Sequence, residues 1–352
     1  MGYIAKDWVA EEIITQSNLD HIENGIQANS ESVEILTEAL PTLATKNELA
    51  DYATKTDLTE YVRIEDLPEY DIDIDPLPKS IYEGKTLSIL GDSMSTFGGY
   101  IPSNYPYHYP RENAAAEDVQ IVSDTWWWKL MNALGMTLNI NNSYSGSKVT
   151  NTFNTGYIIG NQEIADETAG CKTRCMNLRL GSEDPDVIII WMGINDFNTE
   201  VELGDYDGTT PLPPDSDPPA DPPPNTKVFS EAYAVMLDKI LALYPYSEVW
   251  VCTLSPCEKN GDIGFPEING NGVALSQYND VIRNLAKAFG VRVLDHHGAG
   301  VTYQNRRIFI KENYPSGTVD NLHLNKYGHS IIANNDIRQM DGSVRTRYNI
   351  KE

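Results

Sequence analysis

Ser93 ends the tripeptide Gly91-Asp92-Ser93, which follows the short apolar run Leu87-Ser88-Ile89-Leu90. A buried strand that delivers a serine onto a tight turn holds its hydroxyl exposed at the carboxyl edge of a parallel sheet, the placement that nucleophilic acyl transfer requires. A serine hydroxyl is a poor nucleophile at neutral pH. It needs a base within hydrogen-bond reach, and the base needs a carboxylate to orient it. Asp320 and His323 supply those two residue types. Each motif alone has a plainer reading: Gly, Asp and Ser are ordinary turn residues, and an Asp-x-x-His pair also occurs as an ion pair in a helix or turn.

The elements that must position these residues are legible as alternating patterns. Apolar runs at 87–90, 137–140, 187–191, 249–254 and 291–294 predict strands. Helices are predicted at 124–134, with Asp124 as N-cap, at 228–243, where Phe229, Tyr233, Met236, Ile240 and Leu243 share one face, and at 275–289. Strand and helix in alternation imply parallel βαβ units in a doubly wound sheet, which binds ligands beyond the carboxyl ends of its strands. On that rule Ser93 follows the first strand, Gly146 the second and Asn195 the third, while Asp320 and His323 lie in the loop before the last helix. Four dispersed stretches are thereby expected to converge on one edge.

Those stretches, Gly91-Asp92-Ser93, Asn141-Asn142-Ser143-Tyr144-Ser145-Gly146, Gly193-Ile194-Asn195-Asp196 and Asp320-Asn321-Leu322-His323, resemble in order and character the blocks of the SGNH, or GDSL-type, hydrolases. The resemblance covers roughly residues 80 to 340. It implies a flavodoxin-like α/β fold and a serine esterase in which Ser93 attacks, His323 acts as base and Asp320 orients it. It also implies an oxyanion hole formed by the backbone N–H groups of Ser93 and Gly146 and the side-chain amide of Asn195. Glycine suits position 146 because backbone must approach the substrate there without a Cβ, and Gly193 would let the Asn195 loop turn. Of the six histidines, His21 falls in the N-terminal arm, and His108, His296, His297 and His329 lack the family spacing.

No cofactor or metal is expected. His296 and His297 are adjacent in an apparent strand and would point to opposite faces. Cys171, Cys175, Cys252 and Cys257 do not match the two-residue gap of common zinc motifs and read as structural thiols. A net charge of −25 argues against nucleic acid and against anionic lipid as partners. No apolar stretch reaches membrane-spanning length, and Met1 to Asn29 lacks the layout of a signal peptide, so a soluble protein not exported by the general secretory route is expected.

Residues 1–79 are expected to form an oligomerisation stalk and linker, and 80–352 the hydrolase domain. Leu19, Ile22, Ile26, Asn29, Val33, Leu36 and Leu40 alternate steps of three and four, a heptad seam with a polar Asn29 that would fix register and oligomer state. Ser17 and Asp20 fit a capping box at its start. One amphipathic helix packed on a globular body is the alternative. Residues 44–52, 53–61 and 62–70 align as short repeats matched at Leu49, Leu58 and Leu67 and at Tyr52, Tyr61 and Tyr70. So few apolar residues per repeat cannot bury a core alone. Residues 8–26 and the Ala-Thr-Lys-x-x-Leu repeats resemble phage tail and baseplate proteins, whose stalks are usually trimeric. That resemblance implies a homotrimer among phage tail proteins, located on the virion tail or extracellular; without it, a cytoplasmic location is expected. The alternating Asp71, Asp73 and Asp75 offer a calcium site or, more simply, a solvated strand edge.

Three stretches bear on the substrate. Residues 100–110 form an aromatic, proline-containing loop with Tyr100, Tyr105, Tyr107 and Tyr109, suited to the apolar faces of sugar rings or simply to loop packing. Trp126-Trp127-Trp128 opens a helix and should place at least one indole in the core. The run 211–225 is extended, rich in Pro and Asp, and follows the Asn195 block. The expected activity is O-deacetylation of a carbohydrate such as a bacterial surface polysaccharide, with an acetylated glycan or other small ester as partner. The alternatives are a catalytically inactive glycan-binding module and an intracellular lipase or acyl-esterase with a coiled-coil arm.

Overall fold

In the computed structural model of the chain, residues 80–111, 117–150, 169, 172–210, 212, 227–257, 267–310, 312–313, 319–320 and 322–351 are described. They lie within the unit Asp75–Glu352. The heptad seam, the short repeats, the acidic linker, Cys171 and nearly all of the proline-rich run fall outside the described residues.

Five strands form one parallel sheet: β1 Thr86–Gly91, β2 Thr137–Asn141, β3 Val187–Trp191, β4 Glu248–Cys252 and β5 Arg292–Leu294. Their order across the sheet is β2-β1-β3-β4-β5. This is the flavodoxin-like doubly wound order, in which the chain reverses direction across the sheet between β1 and β3. The crevice beyond that reversal is therefore flanked by the two strands that lead into Ser93 and Asn195.

Burial follows from the pleat. All five residues of β3 are buried, as expected for a central strand covered on both faces. Successive side chains alternate between the two faces. Ile188 and Ile190 join Leu90, Val249 and Val251 under helices α4 (Phe229–Leu243) and α5 (Leu275–Phe289). Val187, Ile189 and Trp191 join Leu87, Ile89, Trp250 and Cys252 under α1 (Trp126–Leu134) and α7 (Lys326–Met340). The short helices α2 (Lys172–Met176), α3 (Ile194–Asn198) and α6 (Arg306–Phe309) lie in the connections.

The elements depart from the sequence reading at their ends. The cap of α1 is Thr125, whose side chain accepts from the Trp128 N–H, while the expected cap Asp124 closes a preceding 3-10 turn at Val122–Asp124. Trp126 and Trp127 are fully buried and Trp128 is half-buried. Asp320 is not in a plain loop: it ends β7 (Val319–Asp320), which pairs antiparallel with β6 (Glu312–Asn313). Among the described residues no helix is long and apolar enough to cross a membrane.

Candidate active site

The turn after β1 is held without help from the Ser93 side chain. Asp92 Oδ1 accepts from the Met94 N–H at 3.0 Å and Asp92 O from the Ser95 N–H at 3.1 Å. The indole N–H groups of Trp126 and Trp127 reach Ser95 Oγ at 3.3 Å and Ser95 O at 3.0 Å, and Asn141 Nδ2 donates to the same carbonyl at 2.8 Å. Position 91 must be glycine because a Cβ there would meet Ser143 Oγ and the Ser95 side chain at 2.7 Å. The first and second sequence blocks are in van der Waals contact at this point.

Ser93 Oγ lies 2.7 Å from His323 Nε2, and His323 Nδ1 lies 2.7 Å from Asp320 Oδ2. Asp320 Oδ1 accepts from the backbone N–H groups of Leu322 at 2.8 Å and His323 at 2.9 Å. An ionised carboxylate only accepts, so the ring proton belongs on Nδ1 and Nε2 is left to accept from the serine. Burial alone would raise the Asp320 pKa, but the hydrogen bond and charge of His323 and the two backbone donors hold it well below the usual carboxylate range. All three side chains are buried.

The second and third blocks meet beside this line. Tyr144 N–H donates to Gly91 O at 3.0 Å, and Asn195 Nδ2 donates to Ser147 O at 2.8 Å. That bond uses one of the two amide protons of Asn195. Asp196, fully buried, accepts from the backbone N–H groups of Val149 at 2.9 Å and Thr150 at 3.0 Å and from Thr150 Oγ1 at 2.6 Å. Gly146 is exposed with φ +84°, and a Cβ built on it would meet nothing within 4 Å. The left-handed backbone favours glycine there, and the space in front of it is open. Among the described residues, the N–H groups of Ser93 and Gly146 donate to no protein acceptor.

Two parts of the site had no sequence signal. Arg174, fully buried, donates from Nη2 to Gly91 O at 2.8 Å and Asn142 O at 2.7 Å and from Nη1 to Ser147 Oγ. It ties the end of β1 to the Gly146 segment; its stretch of sequence stood out only for cysteine spacing. His108 lies on His323, ring centroids 3.4 Å apart and planes 13° apart. Arg111 Nη1 and His108 Nε2 each approach Asp320 Oδ2 to 3.9 Å. His108 belongs to the aromatic loop read as pocket-forming, but no spacing links it to His323.

The same loop borders the second block: Ser145 N–H donates to Pro106 O at 3.0 Å, and the Tyr105 and Tyr144 rings lie 5.0 Å apart. Tyr107 is 55% exposed. A Cβ at Gly98 would be 3.2 to 3.4 Å from three consecutive Tyr107 ring atoms, so the ring packs closely against Gly98.

His108, Asp320 and His323 bring three potential ligand atoms within 4.8 Å of one another. An ion midway between the stacked rings would sit about 1.7 Å out of each plane, half the 3.4 Å separation, whereas an imidazole lone pair lies in its plane. The arrangement fits proton transfer better than metal ligation. His296 is buried against Asp336, Nε2 to Oδ1 3.0 Å, and His329 Nδ1 accepts from the Trp126 N–H at 3.0 Å. Cys175, Cys252 and Cys257 are buried.

Asp92 is fully buried, and burial raises its pKa to about 7 against the opposing Met94 hydrogen bond and the Arg174 charge. An unfolded aspartate loses its proton near pH 3.9, so between that value and 7 the folded state binds one more proton. The stability this contributes is present below the unfolded pKa and falls by about 1.4 kcal/mol per pH unit as pH rises to the folded one. Asp92→Asn keeps the acceptor for Met94 and removes the slope. Its melting temperature should therefore gain on the unmodified chain between pH 4.5 and 7.5; a constant difference over that range would refute the assignment.

Comparison with known proteins places this geometry in context. Residues 85–269 match the family model described as GDSL-like Lipase/Acylhydrolase. The matched segment includes Ser93, Gly146 and Asn195 and ends before Asp320 and His323. Among solved structures, a protein from Bacteroides ovatus described as GDSL-like lipase is 25% identical, with 74% of this chain and 99% of that chain covered and a TM-score of 0.49. One from Bacteroides uniformis, described likewise, is 24% identical over 73% and 95% of the two chains, with a TM-score of 0.50. A Lactobacillus plantarum protein is 19% identical over 74% and 98%, with a TM-score of 0.49. No curated protein matches the sequence.

Proposed function

Because this chain belongs to the GDSL-like lipase/acylhydrolase family, we propose that it is a serine esterase with Ser93 as nucleophile, His323 as base and Asp320 as the orienting carboxylate. The observation that carries this reading is the unbroken line of 2.7 Å contacts from Ser93 through His323 to Asp320. Ser93 Oγ attacks the ester carbonyl carbon while its proton passes to His323 Nε2. The carbonyl oxygen becomes an oxyanion, which needs fixed donors. Its donors in this reading are the N–H groups of Ser93 and Gly146 and the second amide proton of Asn195. Collapse breaks the bond to the alcohol, which leaves with the proton from His323. Water then repeats the sequence on the acyl-serine and releases the acid.

The substrate we propose is an O-acetylated carbohydrate. The exposed ring of Tyr107, packed on Gly98 and one residue from the ring over His323, supports a sugar-stacking platform beside the nucleophile. The chain's sequence supports a setting for this activity: residues 8–26 and the Ala-Thr-Lys-x-x-Leu repeats resemble phage tail and baseplate proteins, and an oligomeric stalk built on the heptad seam from Leu19 to Leu40 would present the esterase to a bacterial surface polysaccharide.

The test is acetate release from O-acetylated oligosaccharides beside p-nitrophenyl esters of increasing acyl length. Preference for acetate over butyrate and octanoate, with turnover of the acetylated sugar, is the expected result. Preference for long acyl chains would point to a lipase, and no hydrolysis of any ester to a binding module. Tyr107→Ala should raise KM for the oligosaccharide about 10-fold, equal to ~1.4 kcal/mol, and leave p-nitrophenyl acetate unaffected. An equal change on both substrates would remove Tyr107 from sugar recognition.

A further inference from the structure

We propose that His108 is a positioning residue for His323: its ring is the surface that fixes the tilt of the catalytic imidazole and stabilises the imidazolium formed as Ser93 attacks. This rests on the esterase reading above.

His323 makes two hydrogen bonds, at Nδ1 and Nε2, whose ideal directions lie in the plane of its ring. They fix the line through the two nitrogens, and the bond from Cγ to Cβ limits rotation about that line; a contact on a ring face narrows the tilt that remains. His108 supplies such a face, 3.4 Å away and within 13° of parallel. His108 is itself anchored to the nucleophile turn. Its backbone N–H donates to Thr96 Oγ1 at 2.8 Å, and the same hydroxyl donates to Ser93 O at 3.0 Å. Tyr109, buried and donating to Leu324 O at 2.7 Å, meets His108 edge-on at 4.6 Å and His323 edge-on at 6.2 Å. Serine turn, base and stacking ring are therefore held as one unit.

The charge of His108 decides whether this face helps. A neutral aromatic face attracts a cation lying on it, whereas a protonated His108 would repel the imidazolium. Burial lowers the His108 pKa to about 4; Asp320 opposes that shift and Arg111 reinforces it. The titratable and charged groups around the ring are Asp320 and His323 from β7 and the segment after it, Tyr109 and Arg111 from its own segment, and His329 from α7. At neutral pH His108 is the uncharged member of the stack.

The experiment compares initial rates of p-nitrophenyl acetate hydrolysis from pH 3.5 to 8 for the full chain, Ser93→Ala, His108→Ala and His108→Phe. His108→Ala should lower kcat on the order of 10-fold with KM little changed, and His108→Phe, which keeps a flat neutral ring, should recover most of the loss. Below about pH 4 the unmodified chain should lose activity with two protons and His108→Phe with one. Unchanged kcat and profile in His108→Ala, or a rise in KM alone, would overturn the inference. If His108→Ala does not fold, the acid limb of His108→Phe decides: two protons there would also overturn it. Activity lost in Ser93→Ala but intact in His108→Ala sinks this inference alone, whereas a Ser93→Ala variant as active as the unmodified chain sinks the esterase reading and this one together.

Discussion

Ser93→Ala is expected to lower ester hydrolysis by at least about 10⁴-fold without disturbing the fold. The turn that presents Ser93 is held by Asp92, by backbone bonds and by the anchoring of Ser95 through Trp126, Trp127 and Asn141, none of which uses the Ser93 hydroxyl. The change deletes the proposed nucleophile and one hydrogen bond to His323, a stability effect of about 1 kcal/mol. Hydrolysis of p-nitrophenyl acetate alongside a thermal melt checks both halves. Residual activity above a few per cent in a variant with an unchanged melt would exclude Ser93 as the nucleophile.

Asp320→Asn is the second large effect, and it acts through a proton's position. Asp320 Oδ1 is committed to the N–H groups of Leu322 and His323. An asparagine would keep its carbonyl oxygen on those donors and turn its NH₂ toward His323 Nδ1. Two donors cannot face each other, so Nδ1 would become the acceptor and the ring proton would move to Nε2. There it would point at Ser93 Oγ, and the base would be lost with the geometry intact. A comparable carboxylate-to-amide change in a serine protease costs about 10⁴-fold in kcat. The same loss is expected here, with KM nearly unchanged and partial recovery at high pH as the amide-locked imidazole is bypassed by hydroxide. A loss of less than about 10-fold would mean that Asp320 does not set the tautomer.

The candidate site divides cleanly between what is local in sequence and what is not. Ser93, Gly146 and Asn195 each sit just past a strand whose apolar run is visible in the chain, and a parallel sheet brings all such strand ends to one edge. Asp320 and His323 are three residues apart, so their pairing is a short-range matter: the backbone turn at Leu322 and His323 folds onto the carboxylate that orients the ring. The fold class was legible for the same reason, since period and alternation are properties of neighbouring residues. Thr125 in place of Asp124 at the cap of α1 shows the limit of that legibility: both residue types cap helices, and only the position of the 3-10 turn at Val122–Asp124 leaves the cap to Thr125.

The surroundings of the site come from long-range packing. Arg174 bonds to Gly91, Asn142 and Ser147, residues from two different segments, and His108 stacks on a ring far away in the chain. No periodicity or spacing encodes such contacts, because they depend on how loops of unrelated composition cross over the sheet edge. Residue type and short-range order already supply the chemistry on offer: a serine, a histidine, a carboxylate and a set of N–H donors. The packing of loops over that edge set which ring lies on His323 and which guanidinium braces the turn, because long-range proximity exists only once the chain has folded.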